Sequence, residues 1–203
     1  MKFNMSVVPM LLHKNLGLAF KMARGFFKME RTKMMKRHFE NYDHMKNFCL
    51  IYMKLTPLCN LRCVMCGQRG DKGVLKGEFA ANEAKSIVPV ETYKKMIDEL
   101  AEKKPVYYLW GGEPFLYPDL FELVRYIQSK GSFCSINTNG TLLEKYAEQI
   151  VKDKWNVIFV SLDACKDVND EMRGPSSYDR VIKGFEAINR EKKKQGSTLP
   201  IMG

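Results

Sequence analysis

Residues 106–140 read VYYLWGGEPFLYPDLFELVRYIQSKGSFCSINTNG, and their pattern decides the fold class. Val106–Trp110 is a β-branched and aromatic run closed by Gly111-Gly112, so it reads as a strand. Leu120, Leu123, Val124 and Ile127 recur at helical spacing, opened by Pro118 and stopped by Gly131. Phe133–Asn137 is a second strand, and Thr141-Leu-Leu-Glu144 has the form of a capping box that starts the next helix. Strand, helix and strand in that order make a βαβ unit, whose crossover is right-handed and whose strands are parallel.

The same pattern extends in both directions. Upstream, Phe48–Leu55 reads as a strand ended by Thr56-Pro57, and Pro89–Lys103 as a helix with Met96, Ile97 and Leu100 on one face. Downstream, Val157–Leu162 is a strand, and a helix from Ser176-Ser-Tyr-Asp179 to Gly196 buries Val181, Ile182, Phe185 and Ile188. The later strands begin at intervals of about 25 residues with a helix between each pair, the signature of an α/β fold with a parallel sheet. Four βα units are countable. Leu199, Pro200, Ile201 and Met202 then resemble the opening of a fifth strand, so residues 48–203 read as a core domain truncated before that strand is complete.

The 203 residues carry 33 Lys and Arg against 23 Asp and Glu, a net charge of +10. That surplus is uneven. Residues 1–48 hold ten basic and three acidic side chains, leaving 23 − 20 = +3 for residues 49–203, so basicity gives no reason to expect nucleic acid at the main domain. Residues 1–47 read as a basic, amphipathic helical arm in which Leu12, Leu16, Phe20 and Phe27 alternate with Lys14, Lys21, Arg24 and Lys28. Such an arm either packs on the domain as a solvated helix or makes peripheral contact with an anionic membrane surface. No apolar run reaches the ~18–20 residues of a spanning helix, and no signal-peptide pattern is present. The expected location is the cytoplasm, with membrane association through the arm.

Cys59-Asn-Leu-Arg-Cys63-Val-Met-Cys66 places three of the six cysteines within a short loop after the first strand. This crowding indicates metal chemistry in a reducing compartment rather than a disulfide scaffold. Three thiolates can hold three irons of a [4Fe–4S] cluster and leave the fourth iron open as a substrate site. The other reading is zinc completed by Cys49 or His44, although structural zinc usually takes paired Cys-x-x-Cys knuckles. Cys49 and Cys134 fall within strands and read as small buried hydrophobes, and Cys165 follows the fourth strand.

C-x-x-x-C-x-x-C after a first strand resembles the radical S-adenosylmethionine superfamily. Gly111-Gly112-Glu113-Pro114, Asn137-Thr138-Asn139-Gly140 and Ser161-Leu162-Asp163-Ala164 resemble that superfamily's further motifs in the same order. With the Asp170–Gly174 run, they resemble the branch of molybdenum-cofactor cyclases and SPASM-type peptide- and protein-maturing enzymes. The resemblance implies a partial (β/α)6 barrel, a [4Fe–4S] cluster on Cys59, Cys63 and Cys66, and S-adenosylmethionine chelating the open iron. It implies reductive cleavage to a 5′-deoxyadenosyl radical that abstracts hydrogen from a substrate, with flavodoxin or ferredoxin as electron donor and a peptide or protein among the substrates to expect. By the same resemblance Met65 packs near the adenine and Gly111, Gly112 and Glu113 meet the methionine end. Thr138 and Ser161 reach the ribose or carboxylate, and Arg173 forks onto the carboxylate. Asn139-Gly140 fits a tight turn equally well. The remaining alternative is a chain that binds a cluster without turnover.

Overall fold

The computed structural model describes residues 50–78, 82 and 87–203. The basic arm, Phe48, Cys49 and His44 lie outside the described residues. The architecture is a five-stranded, wholly parallel sheet in the order β1-β2-β3-β4-β5, with β1 and β5 at its edges. The strands are β1 (Leu50–Lys54), β2 (Val106–Trp110), β3 (Phe133–Thr138), β4 (Val157–Val160) and β5 (Ile201–Met202). The helices are α1 (Val90–Glu99), α2 (Leu120–Ser129), α3 (Leu143–Lys152), α4 (Lys166–Arg173) and α5 (Ser177–Lys194). Sequential strand order with helical crossovers is a barrel wall that does not close, the partial barrel the sequence implies.

Strand alternation sorts the side chains by face. Tyr107 and Leu109 of β2, Ile136 of β3 and Ile158 of β4 are buried with Ile97, Leu123, Ile127, Leu143, Ile150 and Ile188 of the helices in one core. Phe115 and Phe121, from the segment that enters α2, pack their rings against Trp155 and fill the space beside α3. The opposite pleat carries Tyr52, Tyr108 and Phe159, whose rings follow one another at 5.2 and 6.4 Å. Each fully buried Leu or Ile contributes about 1.5–3 kcal/mol relative to exposure, so the helix-facing pleat supplies most of the drive to fold.

The fifth strand forms as expected but is short. Ile201 donates its N–H to Asn156 O at 3.0 Å, and Gly203 exchanges bonds with Ile158 and Val160. Two expectations need correction. Thr141 does not cap α3: its N–H and hydroxyl both go to Asn139 Oδ1 (3.0 and 2.7 Å), and the helix starts two residues later. Secondly, α4 was not expected, because it is almost wholly polar and buries only Asn169. It is held by polar contacts that Asn169 and Asp170, in its middle, make with neighbouring segments. Asp170 accepts from the N–H groups of Ser176 and Tyr178 and the Ser177 hydroxyl, so the capping carboxylate of α5 comes from the preceding helix.

Candidate cluster and cofactor site

The cysteine loop leaves β1 and is held at successive points by the ends of the other strands. At its start, Gly112 N–H donates to Thr56 O and Glu113 N–H to Leu58 O, both at 2.7 Å. The glycines are required by this contact. A Cβ on Gly111 would lie 2.4 Å from Thr56 O, and one on Gly112 would lie 2.1 Å from Leu58 O. Next, the β3 end meets the loop through Asn139 Nδ2, which donates to Asn60 Oδ1 (2.8 Å) and Cys59 Sγ (3.8 Å). Asn60 Nδ2 returns a bond to Thr141 Oγ1 at 2.9 Å. Further along, Val64 N–H donates to Met172 O in the last turn of α4 at 2.9 Å. Each sequence motif therefore touches the cysteine loop or the element that holds it.

The three thiols are half-buried at the mouth of the sheet. Cys59 Sγ also accepts from Leu61 N–H, and Cys66 Sγ from Arg69 N–H, both at 3.4 Å. Burial pushes the Cys59 and Cys63 thiols up, opposed at Cys63 by the positive charge of Arg173. At Cys66 burial also acts upward, but the N–H groups of Arg69, Gln68 and Gly70 outweigh it, and the thiol is lowered. Backbone N–H groups aimed at sulfur favour thiolates, the form that binds iron. Among the described residues, no three His, Cys, Asp or Glu side chains converge on a single ion. Three thiolates on one loop are a donor set for a [4Fe–4S] cluster, in which each cysteine takes one iron. The residues fit the cluster.

The other expected positions fall into three groups. Met65 is exposed beside Cys66, and half-buried Ser161 follows β4, its N–H on Thr138 O at 2.9 Å. Both sit at the open mouth. Glu113 and Thr138, by contrast, are buried and engaged with each other. The Thr138 hydroxyl donates to Glu113 Oε1 (2.7 Å), which also accepts from Phe115 N–H (3.1 Å), and Oε2 accepts from Asn139 N–H (2.9 Å). Burial raises the Glu113 carboxyl above its ordinary range, and these donors hold against it. Glu113 thus ties the β2 end to the β3 end beneath the cysteines. Arg173 pairs in a bidentate fork with Asp163, Nε to Oδ2 at 2.8 Å and Nη2 to Oδ1 at 2.9 Å. Sequence reasoning missed Asn139 as a partner of the cysteine loop, Asn60 as the loop residue that receives it, and Asn169, whose Oδ1 accepts from Asp163 N–H at 3.2 Å.

Comparison with known proteins identifies the arrangement. The sequence pattern of the radical SAM superfamily matches residues 53–203. An AdoMet-dependent heme synthase of Methanosarcina barkeri is 35% identical over 145 residues, 70% of this chain and 39% of that protein. The mycofactocin maturase MftC of Mycobacterium tuberculosis is 33% identical over 144 residues, 69% of this chain and 34% of its own length. Among solved structures, Streptococcus suis SuiB bound to S-adenosylmethionine superposes with a TM-score of 0.59 at 21% identity, over 71% of this chain and 32% of SuiB, a likeness of fold. This chain spans 39% and 41% of two Methanosarcina barkeri relatives, so it corresponds to less than half of such proteins.

Proposed function

The chain belongs to the radical SAM superfamily, and on that premise we propose that it holds a [4Fe–4S] cluster on Cys59, Cys63 and Cys66 and acts in reductive cleavage of S-adenosylmethionine. The observation that carries this reading is the grip of three separate motifs on one loop: Gly112 and Glu113, Asn139, and Met172 each bond to residues 56–64. When bound, the cluster and S-adenosylmethionine supply a one-electron cleavage of the sulfonium and the hydrogen abstraction that follows. The chain's own part is positioning. Gly111 and Gly112 let the β2 end lie against the loop, and Glu113 fixes the β2 and β3 ends relative to each other. Met65, exposed beside Cys66, is the proposed contact of the adenine, and Ser161, at the end of β4, of the cofactor's polar groups. Arg173 offers a guanidinium that pairs with Asp163 and would fork onto the cofactor carboxylate in its place.

The proposed substrate is a peptide or protein. MftC is named a maturase, and SuiB has been solved with its precursor peptide SuiA. Flavodoxin or ferredoxin is the proposed electron donor. The test is anaerobic reconstitution, reduction, and chromatography for 5′-deoxyadenosine. Formation of that product in the intact chain, and its absence when Cys59, Cys63 and Cys66 are all alanine, supports the reading. A loaded chain that releases none shows that these 203 residues bind a cluster without turnover.

A further inference from the structure

Asn139 follows β3 directly, is 8% exposed, and is bonded on every side. Its backbone N–H is fixed by Glu113 Oε2 at 2.9 Å. Its Oδ1 accepts from the N–H of Thr141 at 3.0 Å and from the Thr141 hydroxyl at 2.7 Å. A backbone N–H can only donate, so the oxygen of the Asn139 amide faces Thr141 and the NH2 group must face the other way. That direction is the cysteine loop, where Nδ2 donates to Asn60 Oδ1 at 2.8 Å and to Cys59 Sγ at 3.8 Å. Asn60 closes the circuit by donating to Thr141 Oγ1 at 2.9 Å. The amide is therefore held in one orientation by Thr141, outside the cysteine motif, and by Asn60 within it, and the group it presents to the sulfur is a donor.

Hydrogen bonds to the sulfurs are among the features that set a cluster's reduction potential, because an N–H donor stabilises the extra negative charge of the reduced state. We propose that Asn139 is a positioning residue whose side-chain amide, oriented by Thr141 and Asn60, donates to the Cys59 thiolate and raises the reduction potential of the cluster. This rests on the cluster reading above. The turn Thr138-Asn139-Gly140 would be satisfied by many polar residues; the N–H directed at sulfur requires an amide.

The test is potentiometric titration of the reconstituted chain, followed by low-temperature EPR, for the native sequence, Asn139→Ala and Asn139→Asp. Asn139→Ala removes the donor. Asn139→Asp keeps the acceptor for Thr141 and turns an oxygen toward Cys59 where the NH2 group stood. The expected result is a roughly tenfold less favourable one-electron uptake in Asn139→Ala, about 59 mV lower by the one-electron relation, and a larger fall in Asn139→Asp. Potentials unchanged in both variants at equal iron content overturn the proposal. Loss of the cluster from both variants, with circular dichroism still native, also overturns it and makes Asn139 a part of the loop scaffold. If the native chain forms no [4Fe–4S] signal at all, the cluster reading itself fails, and that outcome is distinct because it shows before any variant is made.

Discussion

Replacing Gly112 by alanine tests the claim that the glycine pair exists to seat β2 on the cysteine loop. The added Cβ would stand 2.1 Å from Leu58 O, 2.6 Å from Leu58 C and 2.8 Å from Pro57 O. All three are backbone atoms and cannot swing aside, so the two segments must separate. Overpacking of this kind costs about 1–3 kcal/mol. Separation also strains the bonds from Gly112 N–H to Thr56 O and from Glu113 N–H to Leu58 O, each with a net value of about 0.5–1.5 kcal/mol. Against these stands about 0.4–1 kcal/mol gained because alanine restricts the unfolded chain. A net loss of about 3 kcal/mol corresponds to a fall in Tm of about 6–12 °C for a chain of this size. Gly67→Ala is the control, since it lies in the same loop and its Cβ would meet nothing within 4 Å. Thermal unfolding followed by circular dichroism reads both variants, and iron content after reconstitution reads the loop. Gly112→Ala melting within about 2 °C of the Gly67→Ala control, less than ~1 kcal/mol apart, would refute the steric argument.

Two further outcomes follow from the helix junction and the arm. The N–H of Tyr178 holds the Asp170 carboxyl at about 2, assisted by the Ser177 hydroxyl and Lys166 against some burial. A carboxyl lowered in the folded state stabilises above its ordinary value near 4 and loses that contribution as pH falls toward 2. Asp170→Asn is therefore expected to be less stable than the native chain at pH 7 and to approach it near pH 2; a difference constant with pH in urea unfolding would contradict this. For residues 1–47, we propose salt-sensitive binding to vesicles containing anionic lipid. Sedimentation with the vesicles should weaken steeply with added salt and vanish on deletion of residues 1–40, and equal binding by the deleted chain would remove the arm from the account.

What the sequence disclosed was what is written in short-range pattern. β2 spans Val106–Trp110 as the run of apolar types indicates, and α2 runs between the Pro118 and Gly131 signals. The three cysteines announced themselves by spacing alone. The helix α4 did not, because its stability comes from Asn169 and Asp170 bonding to neighbouring segments and not from an apolar stripe. Thr141 misled for a similar reason. Its local sequence offers a cap, yet Asn139 and Asn60 compete for the same hydroxyl and backbone groups and win. Glu113 shows the limit most clearly: its motif does not reveal that its carboxylate ties two strand ends, because the partners come from a strand 25 residues away.

Whether Cys59, Cys63 and Cys66 hold a [4Fe–4S] cluster with one iron open to S-adenosylmethionine decides the proposed function. The most direct measurement is low-temperature EPR of the anaerobically reconstituted, reduced chain before and after the cofactor is added. The expected result is a [4Fe–4S] signal that changes on addition and is absent from the triple alanine variant. A chain that takes up zinc, takes up no metal, or gives a signal indifferent to S-adenosylmethionine would contradict it.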